Sequence, residues 1–319
     1  MIVIRKWVLL TVLSLHAHFL LAQTAFTVIP LGTKGGSDES NLSAYLVAPK
    51  GQQNFLCLDA GTVYYGLQKA VANKQITGTS AATVLKNNIK GYFISHGHLD
   101  HVAGLIINSP EDTAKPIYAL PEVIKVLREK YFTWDSWANF TNEGEPPLLK
   151  KYSYKRLDSI SEMDIEGTGM HLKAFELSHV NPQKSTAALI RHQEHYILYL
   201  GDTGADRVEQ SDKLYQLWQS IAPLIDQRKL KGIMIEVSFP DSQPENLLFG
   251  HLTPRLLMEE LGILAKMCKR SNALKNLPVI ITHIKPKGNN EQTIKKELQQ
   301  QNKPGVKLIY PQQGKALQF

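Results

Sequence analysis

Between Ile94 and Pro110 the chain reads ISHGHLDHVAGLIINSP, so that His96, His98, Asp100 and His101 fall in the pattern H-x-H-x-D-H. Imidazole and carboxylate are the donors that zinc and other borderline divalent metals take. Side chains two apart on an extended segment point the same way, so His96 and His98 can grip one ion. Asp100 and His101 come after the chain turns and diverge toward a second. Lys90–Ile94 reads as a short buried strand and Val102–Asn108 as the first turns of a helix, the strand–loop–helix setting that a metal loop of this kind needs. Gly97 is expected to let the backbone pass close to the metals, and Gly104 to let the helix pack tightly.

Residues able to hold metals recur at the ends of apolar segments: Asp59, His179, Asp202, Glu236 and His283. Loops at strand ends converge on one edge of a sheet, which is where sites of α/β proteins collect. Outside the N-terminal leader, His96, His98, His101, His179, His251 and His283 all lie at or just beyond such ends. His171 opens its strand and, at ~3.3 Å per residue, is out of reach of the His179 end. His192 and His195 flank the turn Gln193–Glu194 and read as surface residues.

The elements that must position these groups follow from periodicity. Phe26–Leu31, Ala44–Ala48 and Phe55–Asp59 form a β-meander, followed by helices near Tyr64–Ala72 and Ala81–Lys86. After the histidine loop come a strand at Pro116–Leu120 and a helix over Pro121–Tyr131 with proline at its start. Phe132–Pro147 is irregular, with Trp134, Trp137 and Phe140 among polar residues: a satellite apolar cluster or a pocket wall. Met170–Leu177, Thr186–His192, His195–Leu200, Gly232–Glu236 and Val279–Thr282 are strands, and Lys307–Tyr310 starts a closing one. Asp212–Ala222, Thr253–Cys268 and Glu291–Gln300 are helices, with Thr253 as cap and Pro254 in the first turn. Strands in runs, then alternating with helices, predict an α/β fold of four layers, two sheets inside and helices outside, as one domain over residues 23–319.

At 319 residues and 43% hydrophobic content the chain can bury a substantial core. A charged content of 20% without repeats excludes disordered and fibrous classes. Arg5 and Lys6, the apolar run Trp7–Leu21 and the Ala22-Gln23 junction read as a secretory signal peptide over residues 1–22. The run is shorter than the ~20 residues of a membrane span and contains His16 and His18, so removal is expected rather than a stable anchor. The product is then periplasmic or released. The net charge of +7 falls to +5 without Arg5 and Lys6, is spread along the chain, and forms no nucleic-acid-binding arm. It reads as a slightly basic solvated surface, compatible with a small anionic substrate. Cys57 and Cys268 read as small hydrophobes, with a single disulfide left open.

The H-x-H-x-D-H loop, the later His179, the Gly201-Asp202 strand end and the final His283 together resemble the metallo-β-lactamase-fold hydrolases. Within that fold, HGHLDHVAGLIINSP (His96–Pro110), FGHLTP (Phe249–Pro254) and THIKP (Thr282–Pro286) are similar to the signature blocks of the class II 3′,5′-cyclic-nucleotide phosphodiesterases. The resemblance covers most of the chain beyond the leader, and the departures lie in loop lengths.

It implies two divalent ions, zinc being the default for such donors, one held by His96, His98 and His179 and the other by Asp100, His101 and His283. Asp202 would bridge them and Asp59 would orient a ligand histidine. A hydroxide between the ions would open a cyclic phosphodiester, cAMP or cGMP, and release the 3′ oxygen. His251 is the implied proton donor, Glu236 the carboxylate fixing its tautomer, and Asp100 joins them in the catalytic set. Trp134, Trp137 and Phe140 would be a wall for base stacking. A homodimer is compatible with this reading. An RNase Z-like phosphodiesterase of the same fold would need an RNA-clamping arm, which the chain lacks. A lactonase would not call for the His251 block. A non-catalytic exported metal- or ligand-binding protein would not need the His251/Glu236 pair.

Overall fold

The computed structural model of the chain describes residues 25–180 and 183–319. The signal-peptide reading falls outside them. Among the described residues, fourteen strands make two seven-stranded sheets. The first contains β1 (Phe26–Gly32), β2 (Ala44–Pro49), β3 (Phe55–Leu58), β4 (Ile89–Phe93), β5 (Lys115–Ala119) and β6 (Tyr152–Arg156). The second contains β7 (Glu162–Ile165), β8 (Met170–Ser178), β9 (Lys184–His192), β10 (His195–Leu200), β11 (Leu230–Glu236), β12 (Pro278–Thr282) and β13 (Lys307–Ile309). The last strand, β14 (Leu317–Gln318), returns to the first sheet and pairs with β1. Each sheet joins an antiparallel block to a parallel one: β3 to β6 run parallel in the first, β10 to β13 in the second.

The central parallel strands, β3 to β5 and β10 to β12, are largely buried on both faces, as strands between two layers must be. On β10, Ile197 and Tyr199 belong to the cluster shared with the first sheet, whereas Leu198 and Leu200 belong to the outer cluster. Met234 and Ile280 point inward in the same way, while Ile233, Ile235, Val279 and Ile281 point outward. The period of two thus builds an inner core between the sheets and an outer one under helices.

Helices α1 (Tyr64–Ala72), α2 (Ala81–Asn87), α3 (Leu99–Asn108) and α4 (Pro121–Val126) belong to the first half of the chain. Helices α5 (Asp206–Glu209), α6 (Lys213–Asp226), α7 (Pro254–Met267) and α8 (Asn290–Gln301) belong to the second. Leu214, Leu217, Trp218, Ile221, Ala222 and Ile225 form the buried stripe of α6, the 3.6-residue pattern of a half-buried helix. That helix runs four residues beyond the expected end at Ala222, through Pro223, because Ile225 extends the stripe. The helix expected over Pro121–Tyr131 is α-helical to Val126 and then widens into a π-helical turn, Leu127–Tyr131. Thr253 caps α7, its Oγ1 accepting from Leu256 N at 3.4 Å.

Both cysteines are free, Cys57 buried and Cys268 half-buried, so the disulfide left open by the sequence is not formed. His171 pairs with Asp164 at 2.5 Å, and His192 faces His195 across the β9–β10 hairpin. No helix among the described residues is long and apolar enough to cross a membrane.

Candidate metal and active site

The C-terminal ends of the parallel strands come together along one edge of the sandwich. Asp59 follows β3, Ser95 and His96 follow β4, and His98–His101 enter α3. From the second sheet come His179 after β8, Asp202 after β10, Glu236 at the end of β11, His251 before α7 and His283 after β12.

Three overlapping sets of donor atoms each fit within 4.8 Å: His96, His98, His179 and Asp202; Asp100, His101 and His283; and Asp202, His251 and His283. Asp202 Oδ2 lies 3.3 Å from both His101 Nε2 and His283 Nε2, and 3.8 Å from His96 Nε2. It therefore sits between the two groups that the sequence assigned to separate ions. Asp100 Oδ2 is 3.1 Å from His283 Nε2. His96, His101, His179, Asp202 and His283 are buried, and His98 and Asp100 half-buried.

Each histidine is held from outside by its other nitrogen. His101 Nδ1 donates to Asp59 Oδ2 at 2.8 Å, and His251 Nδ1 to Glu236 Oε1 at 2.7 Å. Ser95 Oγ donates to Asp59 at 2.7 Å and is left to accept from His96 Nδ1 at 3.0 Å. Ser238 Oγ repeats this, donating to Glu236 Oε2 at 2.6 Å and accepting from His283 Nδ1 at 2.9 Å. One carboxylate thus holds two histidines in each sheet, one directly and one through a serine. His179 Nδ1 donates to Gly250 O at 2.8 Å and His98 Nε2 to Gln183 Oε1 at 2.9 Å. With the outer nitrogens engaged, the inner ones are lone pairs facing the centre.

Two of those, His96 Nε2 and His101 Nε2, are buried with no hydrogen-bond partner among the described residues. Orphaned buried acceptors are costly, and a divalent cation is the partner this donor set fits. Charge behaves consistently. Burial works to raise the pKa of Asp202, but the nearby His283 and His101 overcome it and hold the carboxyl well below its usual range. Burial pushes the His96 ring well below the ordinary imidazole value, with His101 adding to the effect. It lowers His179 to about 4. His101 goes the other way, because Asp202 and Asp59 outweigh its burial. Without a cation the proton of His101 balances the two carboxylates, so metal and proton compete for the same place.

At His251 burial lowers the pKa, and Glu236 and Asp202 more than reverse it. Glu236 in turn is lowered, its burial overcome by His251. Both shifts favour the charged form of the pair, which is buried beside the Phe239 ring, whose centroid lies 5.8 Å from that of His251.

Close approach needs glycine twice. A Cβ on Gly35 would lie 2.2 Å from His283 Cε1. One on Gly250, whose φ is +71°, would lie 2.7 Å from His179 Nδ1. A Cβ on Gly97 would meet Val126 Cγ1 at 2.5 Å, so this glycine makes room for α4. Gly104 packs as expected, 2.8 Å from Ala60 O by the same measure.

Two rings of the aromatic loop turn to the core rather than to the base-stacking position expected of them. Trp137 and Phe140 pack on the inner core, and Trp137 Nε1 donates to Ser109 Oγ at 3.0 Å, beyond the far end of α3. Trp134 is half-exposed and donates to Pro147 O. The cavity beside His96 and His98, about 290 Å³, is lined instead by Glu122, Val123, Val126, Gln183 and Lys184. Two of the three large rings in this polar loop satisfy a core, the commoner use of such a cluster.

Two mixed sheets flanked by helices, with a His/Asp cluster along one edge, define a metallo-β-lactamase-type α/β sandwich. The metallo-β-lactamase fold protein YhfI from Bacillus subtilis superposes over 93% of this chain and 100% of its own with a TM-score of 0.62 at 16% identity. Unliganded yeast PDE1 does so over 93% and 100% with a TM-score of 0.84 at 24% identity. Residues 24–314 match the family of class-II cAMP phosphodiesterases, and the chain belongs to that family. It is 43% identical over 325 residues, 98% of both chains, to the 3′,5′-cyclic-nucleotide phosphodiesterase of Aliivibrio fischeri. It is 32% identical to cAMP/cGMP-dependent 3′,5′-cAMP/cGMP phosphodiesterase A of Dictyostelium discoideum, over 91% of this chain and 80% of that one.

Proposed function

We propose that the protein is a metal-dependent hydrolase that opens 3′,5′-cyclic nucleotides to nucleoside 5′-monophosphates. The observation that carries this reading is the buried His251–Glu236 pair facing a His/Asp cluster with orphaned inner nitrogens. A cluster alone suits many hydrolyses; a protonated imidazole beside it suits one whose leaving group is an alkoxide.

His96, His98 and His179 would hold one divalent ion, zinc by its donors, and Asp100, His101 and His283 a second, with Asp202 shared. When bound, such ions supply a water acidic enough to attack at neutral pH and neutralise phosphoryl oxygens. The chain's own residues do the rest. Asp59 and Ser95 fix the rings of His101 and His96. Glu236 keeps the Nδ1 proton of His251 in place and its ring charged, so that Nε2 can give a proton to the departing 3′ oxygen. Lys285 Nζ, 5.7 Å above the Phe239 ring centroid, adds positive charge near the mouth for an anionic substrate. Val123 and Val126 offer the base an apolar surface beside His98. The leader over residues 1–22 supports export of the mature protein from Gln23.

The test is hydrolysis of 3′,5′-cyclic AMP, with 2′,3′-cyclic AMP in parallel, before and after chelation. Chelator-sensitive conversion of the 3′,5′ isomer to 5′-AMP, with the 2′,3′ isomer largely spared, is expected. No turnover of either by metal-loaded protein sinks the substrate assignment.

A further inference from the structure

A second cavity, of about 400 Å³, lies at the other end of the second sheet. It opens where β11, β12 and β13 begin, at Leu230, Pro278 and Lys307, and the end of α6 closes one side. β11 runs from Leu230 here to Glu236 at the histidine cluster, six steps of ~3.3 Å, so roughly 20 Å separates the two. Nothing in the proposed reaction uses it.

Its walls are of two kinds. Arg228, Lys231, Arg270, Lys275 and Lys307 line it, and no Asp or Glu side chain does. Leu230, Leu277, Pro278, Ile309 and Phe319 supply apolar surface. The arginines away from the cavity, among the described residues, all pair with carboxylates, Arg191 with Glu162 at 2.7 Å and Arg207 with Glu245 at 2.8 Å among them, and neighbouring Lys229 turns away to Glu194 at 3.7 Å. Among the described residues, Arg228, Lys231, Lys275 and Lys307 have no carboxylate within 4.0 Å. Lys231 Nζ reaches only the Arg228 carbonyl, at 3.4 Å. Arg270 gives Nη2 to Ile225 O at 2.9 Å, but its Nε is buried without a hydrogen-bond partner, 4.0 Å from Asp226 Oδ1.

Like charges gathered beside a low-dielectric wall repel one another unless an anion is supplied. Bulk salt could supply one, but it would have no use for the apolar floor. A ligand with both features would: a phosphate for the cations, and a flat apolar ring for Leu277, Pro278 and Phe319. The side-chain amides of Asn272 and Asn276 stand ready for the polar edge of such a ring. The volume is in the range of small-molecule sites.

We infer that this cavity is a second binding site, remote from the histidine cluster, for an organic phosphate of nucleotide size. It stands whether or not the chain hydrolyses cyclic nucleotides.

The experiment is calorimetric titration of the purified protein with 5′-AMP and with inorganic phosphate, plus amide hydrogen exchange to locate binding. It uses the natural protein, the His98→Ala/His283→Ala variant and the Lys275→Glu/Lys307→Glu variant. Both lysines are exposed, so the last should fold; Lys275→Gln/Lys307→Gln replaces it if it does not. The site predicts that 5′-AMP still binds the histidine variant and protects amides in 270–278 and 305–309. Reversing the two lysines should weaken binding about tenfold or more, and inorganic phosphate should bind about tenfold more weakly than 5′-AMP. Absence of 5′-AMP binding, or binding lost with the histidines and indifferent to the lysines, overturns the site. Inorganic phosphate binding as tightly as 5′-AMP overturns the ligand class.

Discussion

Tyr199 crosses from the inner face of β10 to the other sheet and donates its hydroxyl hydrogen to Asp59 Oδ2 at 2.6 Å. Asp59 also accepts from Ser95 N and Ser95 Oγ, each at 2.7 Å, and from His101. One buried carboxylate therefore fastens the two sheets together and aims two of the histidines.

Removing that hydroxyl leaves a charged acceptor one bond short. Tyr199→Phe is expected to lose about 1.5–3 kcal/mol in urea unfolding of the chelated protein. Asp59→Asn keeps the shape but not the charge, and metal affinity should fall about 10- to 100-fold in a competitive chelator titration. Unchanged affinity would remove Asp59 from the site.

If His251 protonates the leaving oxygen, its value depends on how badly that oxygen needs a proton. His251→Ala should cost about 10²–10⁴ in kcat for 3′,5′-cyclic AMP. A phosphodiester with a p-nitrophenolate leaving group should lose far less. Equal losses for both substrates would point to a positioning role instead.

The Glu236 carboxylate holds the His251 pKa up, so the acid form persists to higher pH than a free imidazole allows. A general acid works below its pKa, hence activity should fall as pH rises through that value. Glu236→Gln removes the raising charge and should move the alkaline limb of the kcat profile to lower pH. A limb that stays put would show that another group sets it.

Gly35→Ala forces a methyl into the His283 ring. Metal affinity should drop about tenfold or more, and the chelated protein should itself lose about 1–3 kcal/mol because the buried ring has to shift. Gly262→Ala, in α7 with nothing within 4 Å of its added Cβ, is the control and should stabilise by about 0.5–1 kcal/mol. A metal loss in the control, or none in Gly35→Ala, would refute the steric account.

His96, His98, His101, His179, His283 and Asp202 were legible because each comes just after an apolar strand, and ligand chemistry at strand ends is rare enough to read; His251, on the irregular segment before α7, was legible only through the FGHLTP block. Glu236 was legible for the same reason. Ser95, Ser238, Gly250 and Gln183 were not, since serine, glycine and glutamine are common and these act only through where the fold brings them. Ser95 beside His96 was the one available hint. The two edge strands β6 and β7 were missed for another reason. Glu162–Ile165 is four residues long and mostly exposed, and Tyr152–Arg156 alternates buried and exposed positions too briefly to stand out. The aromatic loop misled because composition shows that rings must be buried, not against what.

The alternation along β10 has one more implication. Slipping its pairing by a single residue would turn Tyr199 toward the helices and bring Leu198 and Leu200 between the sheets, an exchange that hydrophobicity alone scarcely resists. The slipped strand would still bury oily side chains, yet it would strand the Asp59 carboxylate and carry Asp202 out of line with His101 and His283. Catalytic competence is in this sense a proofreader of the fold: a chain that packs well but threads β10 wrongly would persist as a soluble, silent species, visible only to an assay that asks for metal or turnover.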